Sequence, residues 1–394
     1  MTLDAQTYKF TGKTRFGVRP LAIGGVGLLL CAFAVNADAP RFFHAYLTAY
    51  LFWVSIGLGA LFFVMLHHLV NAQWSIALRR LVECVMVSLP VMAVMFIPIG
   101  LGLHDLYHWS HAEAVANDHL LQTKSPYLQT TFFVARTVVY FAIWYLLAAG
   151  LHRLSLAEDK GYDEARRVRI RKISAGGMIL FAFTTTFAAF DWIMSLDAHW
   201  YSTIFGAYYF AGCVVGALSF ITLAAIYLRR HGILADVITV EHYNDLGKLI
   251  FAFTIFWAYM AFSQYFLIWY ANVPEETIWF AHRWTGSWKA VSLALVFGHF
   301  VIPFLLLMPK MMKRRLGFLA GITIWMLAIH WVDLFWLVLP EQSPHGAQIS
   351  WMDPVAMVGI GGIFVGLFWR RFAANPIVPV GDPRLGASIR SLSH

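Results

Sequence analysis

Ten runs of apolar residues, each long enough to cross a lipid bilayer, constrain what this chain can fold into more than any other feature of its sequence. The hydrocarbon core of a bilayer is about 30 Å thick and takes roughly 20 apolar residues per helix. Hydrophobic residues make up 60% of the chain and charged residues 13%, which is not the composition of a soluble domain. We therefore predict an all-α integral membrane protein with about ten transmembrane helices. They lie near residues 19–36, 42–70, 76–101, 127–151, 169–195, 201–228, 247–271, 286–309, 316–339 and 352–369.

The basic residues are concentrated at alternate joints between these runs. Of the 29 Lys and Arg residues, 24 fall in the two tails and at the even-numbered joints, four at the odd-numbered joints, and one, Arg136, inside a run. Positively charged joints stay in the cytoplasm, so we expect both termini, with tails 1–18 and 372–394, to be cytoplasmic. The net charge of +8 then follows from topology, and we expect no nucleic-acid partner.

A pattern in the second run recurs in the sixth. The stretch "AYLFWVSIGLGALFF" from residue 49 and the stretch "AYYFAGCVVGALSF" from residue 207 both give Ala-Tyr-x-Phe and then Gly-Ala-Leu-x-Phe. Asp191 and Asp333 occupy matching positions near the far ends of the fifth and ninth runs. Membrane proteins are often built from such repeats. We predict a single membrane domain over 1–394 with two parallel four-helix bundles, 42–195 and 201–339, and with helices 1 and 10 outside the repeat.

Asp191 and Asp333 are the first candidate functional residues. A carboxylate within a span is costly unless it is paired or hydrated. At the helical rise, both lie roughly 27 Å from the basic ends of their helices, near the outer interface. Two interpretations stay open: a proton acceptor beside a quinol headgroup or at the mouth of a proton path, or a helix-end carboxylate paired with Arg136 or Lys289.

Two histidines in the last runs extend this candidate site. His330 precedes Asp333 by three residues and so lies on the same helix face. Imidazole titrates near neutrality, which suits a proton relay; the alternative is a hydrogen-bonded histidine between helices. His299 lies nearer the membrane centre. It is either a second group of the proton relay or a core histidine whose hydrogen bonds are satisfied. A haem between the two histidines is disfavoured because their depths differ by about 6 Å. The candidate catalytic residues are Asp191, His330, Asp333 and His299.

The seventh run adds aromatic side chains with a few hydrogen-bonding groups, which suit a quinone ring. An aromatic belt at the interface is the alternative. Our quinone-binding candidates are Asp191, Gln264, Tyr265 and Arg136. Glu83 has two interpretations: it lies at the opening of a proton half-channel on the inner side, or it forms ion pairs with Arg79 and Arg80. Our proton-path candidates are Glu83, His299, His330, Asp333 and Glu275.

Metal ligation is not expected of this chain. The third outer joint carries His104, Asp105, His108 and His111, but they complete no zinc motif, and we favour a docking surface for another subunit. The three cysteines, Cys31, Cys84 and Cys213, are each alone in an apolar run, without the spacing of an iron–sulfur or c-type haem site. We expect no metal and no cofactor bound by the chain itself.

Several stretches together resemble the NrfD/polysulfide-reductase family of membrane subunits. They are "FDWIMSLDAHWYSTIFGAYYFAG" from residue 190, "NDLGKLIFAFTIFWAY" from residue 244 and "SQYFLIWYANVPEE" from residue 263, together with the ten spans and the duplicated core. More narrowly, the chain resembles the second NrfD-like subunit of bacterial alternative complex III, a quinol:cytochrome c oxidoreductase. The resemblance covers nearly the whole chain and is most specific from about residue 184 to 284.

The resemblance implies quinol chemistry, with menaquinol or another quinol, at the periplasmic side of a bacterial inner membrane. As partners it implies a related NrfD-like membrane subunit, a periplasmic iron–sulfur subunit, multihaem cytochrome c subunits and small membrane-anchored subunits, with lipids around them; the haems and iron–sulfur clusters belong to these partners. We expect the chain to contribute quinol binding or proton translocation without being catalytic alone. The alternatives are a proton-conducting subunit without a quinone site, and a scaffold.

Overall fold

Ten long helices run through residues 15–390, which are the residues that the computed structural model describes. Each helix has the length and the apolar composition needed to cross a membrane, which confirms an all-α protein of the multi-pass membrane type. The predicted tails lie partly outside the described residues, at 1–14 and 391–394. The helices are α1 Gly17–Ala37, α2 Ala39–Leu69, α3 Ile76–Leu101, α4 Thr130–Glu158, α5 Glu164–Leu196, α6 Phe205–Arg230, α7 Val240–Ala271, α8 Trp288–Leu307, α9 Leu316–Glu341 and α10 Met352–Ala374.

Several helices extend beyond the apolar runs that predict them. The helix α7 begins at Val240, seven residues before the predicted start, because Thr239 and His242 form a capping box. The helix α5 begins at Glu164, where the carboxylate of Asp163 accepts a hydrogen bond from a backbone N–H of the first turn. Apolar content locates the part of a helix within the bilayer, and polar capping residues set where the helix actually starts.

Prolines interrupt two of the spans. The helix α3 consists of three pieces, Ile76–Met86, Leu89–Met95 and Ile97–Leu101, and each of the later two has a proline, Pro90 or Pro98, as its second residue. The helix α8 contains a π-helical segment, Leu295–Val301, just before Pro303. Proline removes a backbone donor and clashes with the preceding turn, and π-helical segments are frequent at functional sites.

The helices α2 and α6 form the centre of the bundle. They approach closely at Gly59, where a Cβ atom would lie 2.2 Å from the backbone oxygen of Cys213. The helix α2 also packs against α3, α5, α9 and α10, and α6 packs against α5, α7 and α9. The largest part of the buried core belongs to these two helices, so side chains that point inward from α5 and α9 meet either α2 or α6.

The helix α1 packs mainly on α10, and glycines allow the close approach. A Cβ atom at Gly362 would lie 2.5 Å from Cα of Gly24, and one at Gly366 would lie 2.4 Å from Cγ of Leu21. The small-residue face of α10 therefore contacts another helix, as small residues in membrane helices commonly do.

After α10 the chain folds back over the end of the bundle that carries the basic joints. Val378 and Leu385 are buried. The hydroxyl of Ser388 donates to the backbone oxygen of Trp74 at 2.7 Å and accepts from the backbone N–H of Ala77 at 3.1 Å. Residues 375–389, which we call the C-terminal strap, are thus part of the folded unit.

Candidate functional site

The carboxylate of Asp191, at the end of α5, is held by two side chains of α4. Arg136 donates from Nε to Oδ2 at 2.8 Å and from Nη2 to Oδ1 at 2.9 Å, and the hydroxyl of Tyr140 donates to Oδ2 at 2.7 Å. Asp191 is completely buried. A bidentate arginine pair with a further hydroxyl donor fixes both the charge and the orientation of the carboxylate.

Aromatic rings cover the arginine of this pair. Its guanidinium carbon lies 3.8 Å from the ring centre of Tyr127 and 4.3 Å from that of Phe132, so cation–π contacts add to the ion pair. Of the two cations that the sequence offers as partners for the aspartates, Arg136 is therefore paired. Lys289 is exposed, and its Nζ lies 5.3 Å from the ring of Trp284.

Asp333, on α9, has a different environment although it is also buried. The hydroxyl of Tyr208, from α6, donates to Oδ1, and Nε1 of Trp257, from α7, donates to Oδ2 at 3.1 Å. Within residues 15–390, no Lys, Arg or His forms an ion pair with this carboxylate. A buried carboxylate without a cation is costly as an anion, and a proton is the simplest way to balance it.

His330 lies one helical turn before Asp333 and contacts α2 and α6. Its Nε2 hydrogen-bonds with the hydroxyl of Ser55 at 2.9 Å, while its Nδ1 is buried without a partner. A Cβ atom at Gly212 would lie 3.4 Å from Nδ1 of His330 and 3.9 Å from Oδ2 of Asp333. The unpartnered ring nitrogen and the carboxylate therefore face the same small gap, which exists because residue 212 has no side chain.

His299 lies in the π-helical segment of α8 and packs against Trp257. The two ring centres are 3.7 Å apart, with the rings tilted by 38°, and both nitrogens of the histidine are buried without a hydrogen-bond partner. Trp257 thus contacts His299 with its ring and Asp333 with its N–H. Buried ring nitrogens without partners are rare; His330 has one of them one helical turn from Asp333, and His299 has two and is linked to Asp333 through Trp257.

The helix α7 candidates lie apart from the Asp191 pair. Gln264 is buried, and its Oε1 accepts from the hydroxyl of Ser202 at 3.1 Å. Tyr265 is 46% exposed and contacts the ring of Phe280, and Glu275 is exposed as well. The four residues suggested for quinone binding therefore fall into two places, the Arg136 ion pair and the face of α7.

A shallow depression lies between the ends of α5 and α9, and Asp197, Arg283 and Glu341 line it. Burial lowers the pKa of Arg283 to about 9, although the nearby charges of Glu341 and Asp197 oppose this change. The guanidinium donates to three backbone carbonyls at 3.1 to 3.3 Å. Asp197, in the turn between α5 and α6, therefore faces a buried cation.

Glu83, near the start of α3, lies within an ionic cluster. Its Oε2 lies 3.2 Å from Nη1 of Arg80 and 3.4 Å from Nδ1 of His152, and its Oε1 lies 3.7 Å from Nε of Arg79. The structure therefore contains the ion pairs that the sequence offered as the alternative to an inner half-channel. Glu83 is fully buried.

The cluster continues into the C-terminal strap. Arg79 bonds to Glu158 at 3.0 Å and to Asp382 at 2.9 Å, and Arg80 bonds to Asp159 at 2.6 Å. Burial raises the pKa of Asp382, but hydrogen bonds from Arg384 and the charge of Arg79 outweigh burial and bring the pKa down to about 2. Burial also raises the pKa of Asp159, and there the nearby arginines do not fully compensate.

The histidines between α3 and α4 form a local network. The rings of His104 and His111 are 5.1 Å apart, and Nε2 of His111 lies 2.8 Å from the backbone oxygen of His104. Nδ1 of His104 hydrogen-bonds with the hydroxyl of Ser110 at 3.0 Å. In the part of the chain that the structure describes, no group of three or more His, Cys, Asp or Glu side chains could hold a metal ion. The docking surface predicted for this loop stays a prediction.

The sequence alone does not reveal most of the side chains that hydrogen-bond to the buried aspartates or form ion pairs with the buried arginines. Tyr140, Trp257 and Asp382 carry no signal of their own, because each is one of many aromatic or acidic residues in the chain. Tyr208 does carry one: it is the tyrosine of the repeated Ala-Tyr-x-Phe pattern, and in the structure it donates to Asp333. The position matched to it in α2 is Tyr50, whose hydroxyl is buried without a partner.

No family model matches the chain, and no curated protein matches it at the threshold of significance.

Proposed function

We propose that this chain is a membrane subunit of a quinol:electron-acceptor oxidoreductase complex and that it carries protons through a group formed by Asp333, His330 and His299. The observation that carries the proposal is a buried carboxylate that only neutral donors contact, beside two histidines with unpartnered nitrogens. Such groups can gain and lose protons without breaking an ion pair. Quinol oxidation releases two protons and two electrons, and the electrons would pass to the clusters and haems that the family resemblance assigns to partner subunits.

The contrast with Asp191 supports the choice of Asp333. A proton carrier has to change its charge during each turnover, whereas the carboxylate of Asp191 is engaged in a bidentate ion pair with Arg136. Protonation of Asp191 would leave the guanidinium without its partner. Asp191 therefore positions α4 against α5 in this proposal, and Asp333 transfers protons.

The packing of the helices supports a duplicated four-helix unit. Within the first unit, α2 packs on α3 and α5; in the second unit, α6 makes the matching contacts with α7 and α9. Between the units, α5 packs on α6 and, reciprocally, α9 packs on α2. In such a duplication one copy can keep a structural ion pair while the other copy takes a proton-carrying role. We also propose that both termini are cytoplasmic, that the membrane is a bacterial inner membrane, and that a related NrfD-like subunit, an iron–sulfur subunit and cytochrome c subunits are the partners.

Asparagine substitutions of the two aspartates test the proposal. In membranes that contain the assembled complex, we expect Asp333→Asn to lower proton release and quinol turnover by roughly 100-fold, the low end of the contribution of an acid–base group. Asp191→Asn is the matched control. It should lower thermal stability, since leaving one member of a buried ion pair unpaired costs about 3–5 kcal/mol, but it should leave turnover per assembled complex within about threefold.

The other possible outcomes of this experiment indicate other functions. If Asp333→Asn leaves both rates unchanged, the proposal is wrong and a scaffolding role fits better. If proton transfer falls while quinol oxidation continues in uncoupled membranes, the chain is a proton-conducting subunit without a quinone site. Proton release and acceptor reduction should therefore be recorded on the same membranes.

A further inference from the structure

We propose that a basic cleft beside the α2–α3 turn binds the phosphate of an anionic membrane lipid. The cleft lies where α2 ends, where α3 and α5 begin, and where the C-terminal strap crosses them. This is the depth of lipid headgroups, since the apolar parts of these helices begin or end there. The inference does not depend on the proposed function.

Four arginines line the cleft, and two of them lack a carboxylate partner. The charges of Arg79 and Arg384 are balanced, by Glu158 and Asp382 respectively. Arg167 and Arg171 form no ion pair within 4 Å with any described carboxylate, although Glu158 also lines the cleft and attracts Arg167 at longer range. Unbalanced cations at headgroup depth between membrane helices are the feature by which proteins bind anionic lipids.

Two guanidinium groups converge on one neutral atom in this cleft. Nη2 of Arg167 donates to Oδ1 of Asn71 at 3.0 Å, and Nη1 of Arg384 donates to the same oxygen at 2.5 Å. Like charges held this close repel each other, and a neutral amide oxygen compensates less than an anion does. Asn71 itself has a left-handed backbone, with φ of 52°. Arg384 already pairs with Asp382, so Arg167 is the member of this pair without a carboxylate. A phosphate oxygen next to Oδ1 of Asn71 would supply an anion to Arg167, and arginines bind phosphate well.

Apolar side chains and a histidine border the cleft together with the arginines. Phe63, Val64 and Ile170 line it and are buried. His68 also lines it, and the buried Nε2 of this histidine has no hydrogen-bond partner. The cleft therefore offers polar groups to a phosphate, and its position at the ends of membrane-type helices favours the phosphate of a lipid over a free ion.

Neutralising the two unbalanced arginines tests this site. We expect Arg167→Gln with Arg171→Gln to weaken the binding of phosphatidylglycerol to the delipidated, full-length protein by roughly 30-fold, because each headgroup-level arginine contributes about fivefold. Native mass spectrometry of the protein titrated with phosphatidylglycerol, or with phosphatidylcholine as the neutral comparison, measures it. The matched control is Arg169→Gln with Lys172→Gln, which removes the same charge from the same helix at exposed positions outside the cleft. Its affinity for phosphatidylglycerol should stay within about threefold of that of the natural chain.

A second variant separates loss of binding from loss of folding. Asn71→Asp puts an internal anion between the two guanidinium groups, and aspartate tolerates the left-handed backbone about as well as asparagine does. We expect it to weaken phosphatidylglycerol binding while the melting temperature stays the same or rises. Equal losses in the cleft variant and its control would overturn the proposal, because surface charge alone would then explain binding. Displacement of the lipid by millimolar inorganic phosphate would overturn the lipid assignment in favour of a free anion.

Discussion

At the scale of single residues, two aspartates in matching positions differ because of what surrounds them. Arg136 provides Asp191 with a fixed counter-charge, while Asp333 has only a hydroxyl and an indole N–H. The polar interior of a membrane protein is expensive to maintain, so a carboxylate that lacks a cation is a stronger functional candidate than one that has it. The gap beside Gly212 is the position at which this idea can be tested without changing any charge.

Adding one methyl group at Gly212 should interfere with proton transfer while the fold is retained. The new Cβ of Gly212→Ala would lie 3.1 Å from Cε1 of His330, so the ring has to shift by a few tenths of an ångström. We expect proton release to fall roughly 10-fold, less than the ~100-fold that a misplacement of about 1 Å can cost. Stopped-flow recording of proton release, with melting temperature as the check on folding, measures it.

Gly321→Ala is the control for this change, since a Cβ atom there meets nothing within 4 Å and alanine favours a helix over glycine. Its proton release should equal that of the natural chain. A Gly212→Ala protein that releases protons at the natural rate would show that the gap lies off the proton path, and the role of His330 would then have to be abandoned.

At the scale of elements, the C-terminal strap depends on Asp382, which joins it to the start of α3. The folded pKa of Asp382, about 2, lies below its ordinary value of 3.8. The stabilisation is therefore fully present above about pH 4 and is lost as the pH falls towards 2, and it amounts to about 2 kcal/mol. The groups that face Asp382 are the cations Arg79 and Arg384, with Glu158 beyond them.

Acid should therefore release the strap. We expect the backbone amides of residues 377–389 to be protected from deuterium exchange at pH 5. Their protection, measured against the intrinsic exchange rate at each pH, should fall progressively between pH 4 and 2. In Asp382→Asn the same amides should already exchange fast at pH 5, while Asp236→Asn, at an exposed position, should behave like the natural chain. Full protection of the strap in Asp382→Asn would contradict the assignment.

Apolar runs allow the ten helices to be predicted, because burial in a membrane imposes a minimum length on each of them. The ion pair between Asp191 and Arg136 can also be predicted from the sequence, since each residue is an isolated charge in an apolar run. The strap could not be predicted: Asp382 lies in a short polar segment and meets Arg79 about 300 residues away in sequence, and such contacts depend on the tertiary fold. For the same reason, nothing local distinguishes Trp257 from the other tryptophans.

At the scale of the whole molecule, the two ends of the bundle differ in charge. The basic joints, the strap and the lipid cleft share one end, and the Asp333 group lies towards the other. With the basic joints in the cytoplasm, as we propose, protons would leave the Asp333 group towards the outside. The orientation of the chain therefore decides the direction of the proposed proton release.

Cysteine labelling tests this orientation. Glu113 lies between α3 and α4, Lys160 lies between α4 and α5, and both are exposed. In intact cells a membrane-impermeant maleimide should label Glu113→Cys at once and Lys160→Cys only after the membrane is opened. The natural chain is the control, and its labelling should be low because its three cysteines are buried. The reverse pattern would put the basic joints outside and would contradict the proposed orientation, because the Asp333 group would then lie towards the cytoplasmic side.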